Sequence, residues 1–150
     1  MSSIKVDEAR KIILEKIQTQ GTEKVSINEA LGRILSEDII ARRNNPPMDN
    51  SAMDGYALIA KDVELATPEN PIKLDIIEDL AAGYSPEMTI QPGQAVRIMT
   101  GAPIPEGADA VIMQEDTERN GNSVQVKDKA EFRENIRDAG EDVREGDTVI

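Results

Sequence analysis

Apolar positions in the first forty residues recur at helical spacing. Val6, Ala9, Ile12, Ile13 and Ile17 share one stripe of a helix turning every 3.6 residues. Asp7 is the expected N-cap, Glu8 suits the positive helix end, and Gly21 suits the stop. Val25-Ser26-Ile27 alternates briefly, as a strand does. Asn28 is placed to cap a short helical turn through Glu29-Ala30-Leu31, closed by Gly32. Ile34 to Ala41 is apolar and partly β-branched, which predicts an extended segment.

Near residue 45 the period shifts from helix to strand. All eight Pro and eight of the ten Gly lie beyond that point. Ile72, Leu74 and Ile76 alternate with Lys73 and Asp75, as in a half-buried strand. Tyr56 to Ile59, Ala95 to Met99 and Ala110 to Met113 are short apolar runs bounded by turn residues. Val124 and Val126 alternate with Gln125 and Lys127, and Asn120-Gly121 predicts a hairpin before them. Glu145-Gly146-Asp147-Thr148-Val149-Ile150 reads as a turn entering a strand, and the sequence is expected to continue in a longer protein. The pattern predicts an α+β fold, with N-terminal helices first and a complex, mostly β region after them.

Composition narrows the chemistry. The 150 residues contain no His, Cys or Trp. That excludes Ser-His-Asp and Cys-based nucleophilic catalysis and any imidazole or thiolate metal site. A bound metal must therefore take oxygen ligands. The absence of Cys fits a reducing compartment, and no apolar run approaches the length of a membrane span, so a cytoplasmic protein is expected. Net charge is −12 and is unevenly spread. Residues 1–44 hold eight basic and seven acidic side chains, and residues 45–150 hold nine and 22. With three aromatics in all, such a surface does not suit nucleic acid, which needs basic tracks and stacking rings. Solubility is the plain account of the acid excess.

Three stretches carry candidate chemistry. Asn45-Pro46-Pro47-Met48-Asp49-Asn50-Ser51-Ala52-Met53-Asp54-Gly55-Tyr56-Ala57 sets two Asp, an Asn and a Ser within six positions of a stiffened loop. Those oxygens suit a hard cation or polar ligand, and they equally suit turns. In Arg97-Ile98-Met99-Thr100-Gly101-Ala102-Pro103, Thr100 offers a hydroxyl at a strand end and Gly101 admits close approach to the backbone. An ordinary turn is the alternative. In Asn135-Ile136-Arg137-Asp138-Ala139-Gly140-Glu141-Asp142, Arg137 can fork onto a phosphate or carboxylate with Asp142 orienting it, or the two can form a surface ion pair.

Taken in this order, the three stretches resemble the N-terminal part of the MoeA family, the molybdopterin molybdenumtransferases, to which the C-terminal domain of gephyrin is related. The resemblance also includes Glu29-Ala30-Leu31-Gly32-Arg33, Pro92-Gly93 and Gly107-Ala108-Asp109-Ala110-Val111, and spans residue 4 onward. Met48 departs from it, standing where many relatives carry an aromatic. The resemblance implies insertion of molybdate into adenylylated molybdopterin with release of AMP, assisted by Mg²⁺ or another divalent cation. Tungstate is nearly the same in size and charge and is not distinguished. By position the resemblance implies Asp54 and Thr100 as catalytic, Asp54 also as a metal ligand, and Gly101, Arg137 and Asp142 as substrate-binding. It implies a stalk or dimerisation domain from residues 1–44 and 137–150, and an inserted β domain of bifurcated sheets from 45–136. It further implies a homodimer with the site shared between subunits, so residues 1–150 alone are expected to be inactive. Two competing expectations are a non-catalytic dimerisation or scaffold module, gephyrin-like, and an acidic β domain that binds a divalent cation. No nucleic-acid or membrane partner is expected.

Overall fold

The structure, a computed structural model, describes residues 4–18 and 20–150. It divides into two compact units, one up to Asp38 and one from Ile39 to Ile150. In the first, helix α1 spans Val6–Lys16 and is the only α-helix among the described residues. Its N-cap is Lys5, not Asp7, and Asp7 and Glu8 lie in the first turn, where their charges suit the helix dipole. The helix ends at Lys16, ahead of Gly21. None of its residues is buried within this chain, and Val6 is 83 % exposed.

The expected α+β fold with plural N-terminal helices is therefore corrected: the described residues hold one α-helix and are mostly β. Asn28 to Leu31 contributes a single 3-10 turn at Ile27–Glu29. Gly32, at φ +81°, turns the backbone left-handed soon afterwards, before a costly helical nucleus can propagate. Val25-Ser26-Ile27 pairs with no strand among the described residues. Ile34 to Ala41 is irregular and makes one isolated bridge, Ile40 to Thr148. The mostly β character of the remainder does hold.

The second unit contains a six-stranded sheet. Strand β1 is Asn50–Ser51, β2 Gly55–Leu58, β3 Ile72–Leu80, β4 Gln94–Ile98, β5 Ala110–Met113, β6 Thr117–Asn120, β7 Ser123–Val126 and β8 Ile136–Arg137. The order in the large sheet is β5-β2-β4-β3-β7-β6, antiparallel except for the parallel β3–β4 pair. Strands β1 and β8 form a separate antiparallel pair. All four residues of β2 are buried, because apolar clusters cover both of its faces. Tyr56, Leu58, Leu74, Ala95, Ile112, Val124 and Val126 pack on one side, and Ala57, Leu80, Val96, Ile98 and Val111 on the other. Strand β3 serves both clusters: its register shifts between Ile76 and Glu78, after which Leu80 joins the second. The β6–β7 hairpin forms, with Gly121-Asn122 as its two-residue loop. Its first strand is polar, so only the turn residues and β7 announced it.

Residues 39–45 run beside residues 143–150. Ile39 and Val149, Ala41 and Asp147, and Asn45 and Val143 are joined by backbone hydrogen bonds. No helix among the described residues is long and apolar enough to cross a membrane.

Candidate functional site

Ser51, 1 % exposed, is the point from which the candidate loops are hung. Its N–H donates to the Ala102 carbonyl at 2.9 Å, and its carbonyl accepts from the Gly101 N–H at 2.8 Å. On its other side it pairs with Ile136 of β8. Its hydroxyl donates to the Met53 carbonyl at 2.6 Å and accepts from the Met53 N–H at 3.3 Å, closing a tight local turn. That turn delivers Asp54, whose own carbonyl accepts from the Gln114 N–H at 3.0 Å. Gly55 then opens β2 instead of forming the centre of a hairpin turn.

Strand β4 ends at Ile98, and two residues later Thr100 meets Asp54. One carboxylate oxygen, Oδ1, accepts from both the Thr100 N–H and the Thr100 hydroxyl, each at 2.8 Å. The other oxygen, Oδ2, accepts no hydrogen bond among the described residues. The pair faces solvent. Thr100's backbone N–H, then its hydroxyl, hold the Asp54 carboxyl below the usual carboxylate range, and the Arg97 charge adds to this against a desolvation cost. Asp54 is thus ionised at neutral pH and is a poor proton acceptor there. Its chemistry is that of a fixed negative oxygen ligand.

Arg137 and Asp142 also meet. Arg137 Nη2 donates to Asp142 Oδ1 at 2.8 Å, Glu141 lies 3.6 Å from Nε, and Asn45 Nδ2 donates to Asp142 Oδ2 at 3.3 Å. Asp142, then Glu141, raise the Arg137 pKa further. No hydrogen bond joins this pair to Asp54 or Thr100. The link is through backbone: Arg137 stands opposite Asn50, beside the Ser51 that holds Gly101. An open groove of about 250 Å³ runs beside Gly101, bounded by Pro47, Met48, Asn50, Tyr84 and Pro103.

Sequence reasoning did not separate the two acids of the first loop. Asp49 is consumed internally, accepting from the Ala139 N–H and from Arg133 Nη1, both at 2.8 Å. These two donors lower its pKa. Arg133 and Asn135, at φ +66° and +54°, adopt left-handed backbone that non-glycine residues seldom take. The bend brings Arg133 onto Asp49 and Asp138, and the Asn135 carbonyl onto the Ala52 N–H at 2.9 Å. Nothing in the local sequence announces that bend. Arg97 and Gln114 were missed as well, although Arg97 lies inside a recognised stretch.

No cluster of three acidic side chains forms among the described residues, so they build no complete cage. Asp54 Oδ2 fits one ligand position of the kind Mg²⁺ uses, where one or two carboxylates combine with water and substrate phosphates.

The sequence model described as "MoeA N-terminal region (domain I and II)" matches residues 4–150. The chain belongs to this MoeA N-terminal family. It is 41 % identical over 145 residues to molybdopterin molybdenumtransferase 2 of Mycobacterium tuberculosis, covering 97 % of this chain and 36 % of that protein. It is 43 % identical over 152 residues to molybdopterin molybdenumtransferase of Bacillus subtilis, covering 98 % and 35 %. A crystal structure of the molybdopterin biosynthesis moeA protein from Pyrococcus horikoshii superposes with a TM-score of 0.90 at 42 % identity, covering 96 % of this chain and 38 % of that one. The chain thus spans little more than a third of the curated relatives it matches. Within the MoeA N-terminal fold, the Asp54 and Thr100 loops belong to the β unit from Ile39 onward.

Proposed function

We propose that this chain is the N-terminal part of a molybdopterin molybdenumtransferase, contributing one wall of the site where molybdate enters adenylylated molybdopterin and AMP leaves. The observation that carries this reading is the Asp54–Thr100 contact, in which one carboxylate oxygen is fixed by two donors and the other is open. Thr100 orients the carboxylate, and Asp54 presents Oδ2 as a preorganised negative ligand. A divalent cation held there would neutralise phosphate oxygens and polarise the bond to the leaving AMP. Gly101 offers close backbone approach beside the groove. Arg137, oriented by Asp142, supplies fixed positive charge for an anionic substrate.

In this reading residues 1–44 and 137–150 form a stalk and residues 45–136 an inserted β domain. The side-by-side course of residues 39–45 and 143–150 supports that division. The protein acts as a cytoplasmic homodimer whose site is shared between subunits, and residues 1–150 alone are inactive. One observation favours the competing scaffold reading: the apolar residues of α1 lie exposed within this chain, as an assembly surface requires.

Asp54→Asn in the full-length protein separates the two. The substitution keeps the acceptor for Thr100 and the shape, but removes the charge. The enzyme reading predicts a fall of at least about 100-fold in molybdate-dependent AMP release, with the dimer intact by light scattering. Unchanged release would return Asp54 to the role of a turn former. Molybdate-dependent AMP release by the 150-residue chain alone would overturn the shared-site part.

A further inference from the structure

Strands β2 and β4 pair Gly55 with Ile98, and beyond that rung they part. One chain goes to Asp54 and the other to Met99 and Thr100, so the residues that meet at the site belong to strands that have just separated. A single side chain reaches both carbonyls of that last rung. Arg97 Nη1 donates to the Gly55 carbonyl at 2.7 Å and to the Ile98 carbonyl at 3.1 Å. Its other terminal nitrogen, Nη2, donates to Gln114 Oε1 at 2.6 Å. The guanidinium lies 5.2 Å from the centre of the Tyr56 ring, which gives it a floor. Gln114 in turn holds the Asp54 carbonyl through its N–H. The Asp54-Gly55 peptide is therefore gripped at both carbonyls, one by Gln114 and one by Arg97.

We propose that Arg97 is the positioning residue of this site, its fork fixing the divergence of β2 and β4 and with it the Asp54–Thr100 contact. Lysine cannot replace it, since one ammonium lacks the planar fork that reaches Gly55, Ile98 and Gln114 together. The importance of Arg97 to catalysis rests on the function proposed above, whereas its effect on Asp54 and Thr100 is measurable without any turnover.

The test uses amide hydrogen exchange of the chain, for wild type, Arg97→Gln, Arg97→Lys and Gln114→Ala. The Thr100 N–H donates to Asp54, so its protection reports the contact directly. In Arg97→Gln its exchange is expected to quicken about tenfold or more, the worth of one hydrogen bond, while Ala57 and Val96 in the sheet centre keep their rates. Arg97→Lys should loosen Thr100 as much, since one ammonium does not span the three acceptors. Gln114→Ala should loosen Thr100 in the same sense. Unchanged Thr100 exchange overturns the proposal. So does a uniform rise in exchange across β2, β4 and β5, which marks a merely structural arginine. If Arg97→Gln does not fold, the Lys and Gln114 variants decide alone, and no change at Thr100 in either overturns it. Failure of Asp54→Asn to lower AMP release would remove the functional reading while leaving these exchange results intact.

Discussion

A β-carbon on Gly55 would lie 1.9 Å from the Ile112 carbonyl oxygen, a distance that nothing short of moving backbone relieves. The close approach of β2 to β5 thus depends on a hydrogen at this position. Gly55→Ala is expected to destabilise the chain by about 3 kcal/mol or more, read as a lower urea midpoint with unchanged slope. The Asp54-Gly55 dipeptide shows how far a sequence speaks at this scale. An Asp-Gly pair announces a turn, and an apolar run follows it here, so the local pattern suits a hairpin. What decides otherwise is Ile112, more than fifty residues away. The same holds for the two acids of the loop. Asp49 and Asp54 look alike in the sequence, and only Ala139 and Arg133 on one side and Thr100 on the other distinguish them.

The apolar strands of the large sheet were legible because burial on a face writes itself into the sequence. Ala110–Met113 matches its apolar run residue for residue, and Gln94–Ile98 and Gly55–Leu58 lie within one residue of theirs. Elements held by backbone alone left no such trace. Strands β1 and β8 have two residues each, and their pairing depends on the left-handed bend at Arg133 and Asn135. The excess of predicted helix has the mirror cause, since Asn28 to Leu31 carries helix signals over a stretch too short to propagate. The segment around Asp49 behaves as a latch between the first loop and residues 133–139. Removing it in Asp49→Ala leaves the Ala139 N–H and one arm of Arg133 without partners. The cost expected is about 1–2 kcal/mol, moderated by partial exposure and measured by urea unfolding.

Across the whole molecule the carboxylates govern the response to pH. Asp49, Asp54, Asp79 and Glu118 all have lowered values in the fold, through Ala139 and Arg133, Thr100, Arg119 and Lys127 respectively. Their ordinary values are 3.8 for Asp and 4.5 for Glu. In acid the unfolded chain therefore binds more protons than the folded one, so this stabilisation is complete above those values and is lost as pH falls through the lower, folded ones. With no His or Cys, little titrates nearer neutrality. The urea midpoint is expected to stay level from about pH 8 to pH 6 and to drop below about pH 4.5. A level that instead declined between pH 8 and 6 would contradict the assignment. The side-by-side course of residues 39–45 and 143–150 also determines how the β unit responds to tension. Ile39 and Ile150 leave the pairing at the same end, joined by the Ile39 N–H to the Ile150 carbonyl. A pull that separates them loads the rungs one after another, as a zip opens, and never all at once in shear. The seam from Ile39 to Val143 would therefore give way at low force, lengthening the tether in small steps while the sheet that carries Asp54 and Thr100 stays unstrained.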